Sequence, residues 1–259
     1  MQLYEIIDRL EEIVPIAGTE QFPKTLINGE LKTEIKKVGV ALDFISSTLK
    51  MAKKNSCDLL LVHHGPPNYE SISSEVTQSK IKLAKKFGIS VYTLPFCLDI
   101  SPLGSTAGFI KLMNFKAKSF PVVFQGRVVN NGVYKLKDEI SHTELIKRLG
   151  KYPSSHIRVY GKPKRVYIDV AIAAGGGFQT DLIEQVKPEV YISGDLNIRA
   201  IRTAQELGIL LIELSHSSME NFPLELTAKK LNKCLEVPVI YIEQEEPNVL
   251  VYNNKNYER

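Results

Sequence analysis

The sequence is poor in the residues that build small crosslinked proteins. It has three cysteines, no tryptophan and five histidines among 259 residues. The cysteines are too far apart for a C-x-x-C unit, so neither a disulfide framework nor a cysteine-based zinc or redox motif is indicated. A chain of this length can bury about 70–75% of its unfolded surface and needs no crosslinks. Reduced thiols are the default inside cells, and we expect a cytoplasmic protein.

Long apolar runs and a large excess of charge are also missing. No apolar, uncharged stretch reaches the roughly 18 residues that a membrane span requires. The first residues, MQLYEIIDRLEEIVP, are charged and amphipathic, unlike a signal peptide. The net charge is only +4, and the lysines fall at the spacing of solvated helix faces rather than in a basic stripe. We therefore expect neither a membrane nor a nucleic-acid partner.

The hydrophobic pattern alternates between buried strands and amphipathic helices. It predicts strands at 38–43, 58–64, 89–94, 166–174, 189–193, 209–214 and 248–252. Helices are predicted between them, among them 46–54, 75–87, 179–186 and 196–206, and a last one at 223–235. Such alternation indicates parallel strands covered by helices on both faces, which is the α/β class.

Two adjacent histidines end the second of these strands. His63 and His64 follow the run DLLLV and precede Gly65. Ligand sites in open α/β sheets gather where strands end. Neighbouring residues that leave a strand point in different directions, so the two imidazoles can serve two neighbouring metal ions. The alternative is a histidine pair that only caps the strand.

Two further strand ends carry groups that can bind metal. His216 and Glu220 follow strand 209–214 at the i, i+4 spacing that places both on one helix face; alternatively, Glu220 only favours a helix N-terminus. Asp99 lies in an otherwise uncharged stretch after strand 89–94, where it is a metal ligand or a surface turn residue. If that stretch is extended, Cys97 shares its face with Pro95 and Asp99, although a buried, inert cysteine is favoured.

Convergence of these strand ends predicts one metal site. The ends of parallel strands meet at one edge of a sheet, and imidazole with carboxylate suits zinc, manganese, iron or nickel. The predicted ligands are His63, His64, Asp99, His216 and Glu220. Gly175–Gly177 is interpreted as a tight strand–helix turn, with anion binding as the alternative. Asp195 is interpreted as a helix cap rather than as a contact of the site.

The sequence resembles the NIF-three-like proteins, also called GTP cyclohydrolase I type 2 homologs. The resemblance rests on the blocks LLLVHHG (59–65), LD (98–99), AAGGGF (173–178), YISGDL (191–196) and LLIELSHSSMENF (210–222). It implies a dinuclear centre of two divalent metal ions held by the same five residues, with Asp99 or Glu220 bridging the ions. It also implies a homohexameric, toroidal assembly.

Three positions depart from the family pattern. Pro95 stands where a histidine is usual, Arg199 stands where a second histidine is frequent, and Ser215 replaces a glycine. These changes spare the five ligands but alter their surroundings, which tune metal affinity and reactivity. They put in doubt any reaction that depends on an imidazole at position 95.

The predicted ligands come from distant thirds of the chain. We therefore expect two interlocked α/β lobes with mostly parallel sheets: residues 1–124 with 205–259 form the ligand-bearing lobe, and residues 125–204 form the second. The favoured function is a metal-dependent hydrolase of a small molecule, such as a nucleotide or phosphoester. The alternative is a non-enzymatic metal-binding oligomer with a storage, regulatory or scaffold role. A nucleotide binder without metal is disfavoured because no G-x-G-x-x-G fingerprint is present.

Overall fold

The first sheet carries the histidine pair near its centre. The structure, a computed structural model, describes residues 1–14, 24–66 and 73–246. The strands of this sheet are β1 (Leu26–Asn28), β2 (Val38–Asp43), β3 (Leu59–His64), β4 (Ser90–Thr93) and β13 (Val239–Tyr241). They lie in the order β1-β4-β3-β2-β13. All neighbours pair in parallel except β1, which is antiparallel to β4.

Helices cover both faces of the first sheet, because its central strands are apolar on both sides. One face packs against α1 (Leu3–Ile13) and α10 (Pro223–Cys234). The other packs against α2 (Ser46–Lys54) and α3 (Glu75–Phe87). The last residues of β3 are consequently held in a rigid layer.

The second sheet is mixed. Its order is β5-β6-β10-β11-β12-β8. Its strands are β5 (Ala117–Phe124), β6 (Arg127–Leu136), β8 (Ile157–Tyr160), β10 (Val170–Ile172), β11 (Val190–Ser193) and β12 (Leu210–Leu214). Only the central strands β10, β11 and β12 pair in parallel. A short antiparallel pair, β7 (Ile140–Ser141) and β9 (Val166–Tyr167), lies apart from both sheets.

Helices also cover both faces of the second sheet. The core on one face includes residues of α5 (Ser105–Leu112), α6 (His142–Leu149) and α9 (His216–Asn221). The core on the other face includes residues of α7 (Thr180–Val186) and α8 (Ile198–Leu207). Within the described ranges, no helix has the length and apolarity needed to cross a membrane.

The predicted α/β class is confirmed. Parallel pairing dominates the first sheet, whereas antiparallel pairs toward the edges make the second sheet mixed. Strand β12 belongs to the second sheet, although the sequence grouped residues 205–259 with the first lobe. Sheet membership does not define domains, so the lobe boundaries stay a prediction. The strand predicted at 248–252 lies outside the described residues.

The segment that carries Asp99 differs from the extended conformation considered above. Residues Phe96–Asp99 form a short helix, α4, which begins after Pro95. Cys97 is fully buried in the first core, and burial raises the pKa of its thiol to about 11. A protonated, buried thiol matches the favoured interpretation of an inert cysteine.

Leu60 tests how much the core beneath α2 and α3 stabilises the fold that carries the histidine pair. Leu60 is fully buried in β3, whereas Leu31 is 53% exposed. We expect Leu60→Ala to lower the free energy of unfolding by about 2–5 kcal/mol, because it leaves a cavity. The control Leu31→Ala should change it by less than about 0.5 kcal/mol. Urea unfolding at matched protein concentration measures both, and equal effects would contradict this packing.

Candidate metal centre

All five predicted ligands lie in one cluster. The Oε2 atom of Glu220 is 3.0 Å from His64 Nε2, 3.0 Å from His216 Nε2 and 3.7 Å from His63 Nε2. Asp99 belongs to the same cluster, because its Oδ1 is 3.3 Å from His63 Nε2. The first sheet supplies the histidine pair, α4 supplies Asp99, and α9 supplies His216 and Glu220. The cluster therefore lies where the ends of the two sheets meet.

Each imidazole is oriented by a contact of its other ring nitrogen. His63 Nδ1 lies 2.9 Å from the Leu94 carbonyl oxygen. His64 Nδ1 lies 2.8 Å from Asp43 Oδ1, and His216 Nδ1 lies 2.5 Å from Asp195 Oδ2. These acceptors favour the Nδ1–H tautomer, which leaves Nε2 to act as a ligand. All three Nε2 atoms consequently point at the same carboxylate.

Glycine allows Glu220 to approach the backbone. Gly175 has a φ of +68°, and a Cβ atom there would lie 1.8 Å from Glu220 Oε1. At Gly194, a Cβ atom would lie 2.7 Å from the His216 Cα atom. The predicted strand–helix turn at Gly175–Gly177 is present, since β10 ends at Ile172 and α7 begins at Thr180. Its first glycine also makes room for the site.

The cluster favours positive charge. Burial lowers the pKa of the three imidazoles, but the neighbouring carboxylates raise it more. The net pKa of His63 is well above its ordinary value, and that of His216 is about 10. Burial raises the pKa of Glu220, but its contacts with the histidines hold that pKa well below the ordinary range. A metal ion can supply the positive charge that protons otherwise provide.

The donor set suits a divalent transition metal. His63, His64 and Glu220 each offer one ligand atom, and these atoms lie within 4.8 Å of one another. The donors are imidazole nitrogens and carboxylate oxygens, a combination that binds zinc, manganese, iron or nickel. Ser105 donates its hydroxyl hydrogen bond to Asp99 Oδ1 and so orients that carboxylate. The residues present therefore fit a metal site.

A cavity of about 280 Å³ opens beside the donors. His63, His64, Asp99, His216 and Glu220 all line it. Most of its remaining lining is apolar and includes Pro95, Phe96, Ile100, Val122 and Phe124. A small molecule in this cavity would contact the donor cluster directly.

Comparisons with known proteins identify the family. The family Duf34/NIF3 (NGG1p interacting factor 3) matches residues 1–247. The chain belongs to the Duf34/NIF3 family. A relative from Methanocaldococcus jannaschii, named GTP cyclohydrolase 1 type 2 homolog, is 28% identical over 250 residues, covering 94% of this chain and 100% of its own length. A relative of the same name from Borreliella burgdorferi is 29% identical, covering 93% and 98%.

Solved structures share the fold of this Duf34/NIF3 chain. Reduced HcgD from Methanocaldococcus jannaschii matches with a TM-score of 0.75 and 27% identity, covering 93% of this chain and 97% of its own. A Bacillus cereus protein related to NIF3 matches with a TM-score of 0.80 and 14% identity, covering 97% and 99%. The predicted resemblance is therefore confirmed along the whole described fold.

Two orienting residues of this Duf34/NIF3 site were not predicted. Asp43 pairs in register with His64 across β2 and β3, and a carboxylate at the end of a buried strand could have signalled it. Asp195 was interpreted as a helix cap, but the side chain that caps α8 is Asn197. Asp195 has a φ of +53° and reaches His216 instead.

The family departures lie in different surroundings. Pro95 lines the cavity. Arg199 is exposed on α8. Ser215 caps α9 by accepting from the Ser218 amide, and it donates to Glu246 at 2.9 Å. Among these three positions, only Pro95 changes the wall of the site.

Replacing Gly175 tests the close approach. We expect Gly175→Ala to abolish most metal binding, because its methyl group would displace the Glu220 carboxylate. Gly208→Ala is the matched control, since Gly208 has nearly the same φ of +67° and nothing within 4 Å of a Cβ atom. Gly208→Ala should lower the free energy of unfolding only by its backbone strain, about 1–2 kcal/mol. Zinc titration compares them, and equal affinities would contradict the role of Gly175.

Replacing Asp195 tests the orientation of His216. Loss of a carboxylate partner typically weakens metal affinity by about 10–100-fold, and we expect Asp195→Asn to fall in that range. The control Asp138→Asn removes a 66% exposed carboxylate that pairs with Lys116. It should leave the affinity unchanged. Competition with a chromogenic chelator measures both, and an unaltered affinity in Asp195→Asn would exclude this role.

Proposed function

We propose that this Duf34/NIF3 protein is a dinuclear, metal-dependent hydrolase of a small substrate. The observation that carries the proposal is the cavity of about 280 Å³ that opens directly onto the donor cluster. A protein that only stores metal needs the donors but not an apolar cavity beside them. An enzyme needs both, because the substrate must contact the ions while water is largely excluded.

We propose two metal positions within this cluster. His63 with Asp99 would hold one ion, and His64 with His216 would hold the other. Glu220 would bridge them, because its Oε2 is the oxygen that all three Nε2 atoms approach. A pair of ions of this kind polarises a phosphoryl or carbonyl oxygen and stabilises the leaving group. Zinc, manganese, iron and nickel all suit these donors.

The protein's own side chains supply orientation and exclusion of water. Leu94, Asp43 and Asp195 fix the three imidazoles, so little reorganisation accompanies substrate binding. The apolar wall keeps bulk solvent from the reacting bond. The names of the relatives point to nucleotide chemistry, and a small nucleotide or phosphoester is the substrate class we carry forward. The homohexamer that the resemblance implies is part of this proposal.

One observation favours the alternative of a non-enzymatic metal-binding oligomer. Among the described residues that line the cavity, the titratable side chains are the five candidate ligands themselves. No separate side chain is placed there as a general acid or base. Pro95 contributes to this, because it presents a ring without a proton to transfer. Storage or delivery of metal would not require such a group.

Metal content and turnover separate the two functions. We expect purified protein to hold about two divalent ions per chain, as a dinuclear hydrolase does. Glu220→Gln should lose most of this metal and all turnover, because the bridging charge is removed. Glu225→Gln is the control, since Glu225 is an exposed partner of Lys229, and it should keep both. The measurements are elemental analysis and a panel of phosphoesters, amides and nucleotides.

Each outcome has a distinct meaning. Full metal content with no turnover on the panel would contradict the hydrolase and support the alternative. Protein purified without chelators that holds no metal would contradict both. Turnover that persists in Glu220→Gln would exclude the assigned bridging role.

A further inference from the structure

We propose that the cavity beside the donor cluster binds a compact molecule with one aromatic or branched apolar body and a single oxygen-bearing head group. The class comprises aryl or branched-alkyl esters, amides and phosphomonoesters. Of the two substrate classes named above, it retains phosphoesters and leaves out nucleotides, nucleoside triphosphates among them. The inference rests on the proposed function for the head group, which would face the metal ions. The preference for an apolar body comes from the cavity wall alone.

Two phenylalanine rings form part of the wall. Phe96 and Phe124 are half-buried, and their ring centroids are 4.5 Å apart with an interplanar angle of 34°. Both line the cavity together with Ile100, Val122 and Leu182. Faces of this kind favour contact with another ring or a branched carbon chain. A strongly hydrated group would lose its water there without replacement hydrogen bonds.

Apart from the donor cluster, the described polar side chains that line the cavity are Thr106 and Gln179, and the Thr106 hydroxyl is already hydrogen-bonded. The Thr106 hydroxyl donates to the Gly132 carbonyl at 3.1 Å and accepts from the Ala174 amide at 2.9 Å. The donor cluster is therefore the main polar end of the cavity. A ligand binds most tightly when its one polar head group faces the donors and its apolar body contacts the phenylalanine rings.

The size of the cavity sets a limit. A cavity of about 150 Å³ accommodates benzene, and this one has about 280 Å³. The space accommodates one ring with a substituent. A nucleoside triphosphate carries a base, a sugar and three phosphates, so most of it would lie outside the cavity and gain nothing from the apolar wall.

The charge of the cavity wall also disfavours a nucleoside triphosphate. No lysine or arginine is among the described residues that line the cavity. Sites for several phosphates normally supply such cations or long helix N-termini. Here Asp99 and Glu220 add negative charge, so the bound ions would offset one anionic head but not a triphosphate chain.

Binding of paired probes tests the proposal. Zinc-loaded full-length protein is titrated with phenylphosphonate, methylphosphonate and GTP by calorimetry. Burial of a phenyl ring should make phenylphosphonate bind about 10–100-fold more tightly than methylphosphonate. GTP should bind no more tightly than methylphosphonate. Equal affinities for the two phosphonates, or preferred binding of GTP, would overturn the proposal.

Two variants test whether the phenyl ring of the probe contacts the cavity wall. Phe124→Ala should reduce the preference for phenylphosphonate over methylphosphonate to about threefold or less, because it removes the protein ring that the phenyl group of the probe contacts. Val123→Ala changes the neighbouring side chain, which is 47% exposed and leaves β5 on the opposite side. It should keep the full preference. Loss of preference in both variants, or in neither, would contradict binding at this wall.

A neutral probe separates this inference from the metal function. In chelated protein, 4-fluorobenzyl alcohol is followed by fluorine NMR, and we expect a saturable shift that Phe124→Ala abolishes and Val123→Ala retains. If none of zinc, manganese, iron and nickel binds, the proposed hydrolase is refuted while this arm still decides the apolar cavity. If zinc binds but the neutral ring shows no saturable shift, the inference about the cavity is wrong and the metal function stands.

Discussion

The burial of one carboxylate governs the site. Glu220 is 3% exposed, and an ionised group at that depth is stable only when opposite charge surrounds it. Three imidazole Nε2 atoms meet this requirement from three directions. Removing any one of them leaves part of a buried charge uncompensated. The same convergence that stabilises the carboxylate produces a set of metal donors.

The rest of the structure places these four side chains. His63 and His64 end the central strand of one sheet, whereas His216 and Glu220 follow a strand of the other. Helix α9 keeps His216 and Glu220 at i, i+4 on one face. Gly175 and Gly194 then let the backbone approach these two side chains closely. The site thus depends on the packing of both sheets, and neither sheet alone contains it.

Local patterns in the sequence were sufficient to predict most helices and strands and the types of candidate ligand. The apolar run before His63, and the spacing of His216 and Glu220, each depend on neighbouring residues and could be predicted. Asp195 could not, because its partner lies 21 residues away and its φ of +53° is set by the turn after β11. The conformation of the segment with Asp99 was also missed, since four residues carry too little periodicity to distinguish a short helix from an extended strand.

The membership of β12 shows a related limit. Periodicity indicated the strand but not its sheet, which is decided by pairing with β11 and β8. The sequence pattern placed residues 205–259 in the first lobe, because His216 and Glu220 had to meet the side chains at the ends of β3 and β4. The structure brings these side chains together at the junction of the two sheets. Residues on different sheets can therefore form one site, and the lobe boundaries stay a prediction.

The central claim is that the three Nε2 atoms and Glu220 bind metal together. The most direct measurement is a crystal structure of the zinc-loaded protein with data collected at the metal absorption edge. We expect two anomalous peaks, one beside His63 and Asp99 and one beside His64 and His216, both in contact with Glu220. Anomalous density elsewhere, or none at the cluster despite bound zinc, would contradict it.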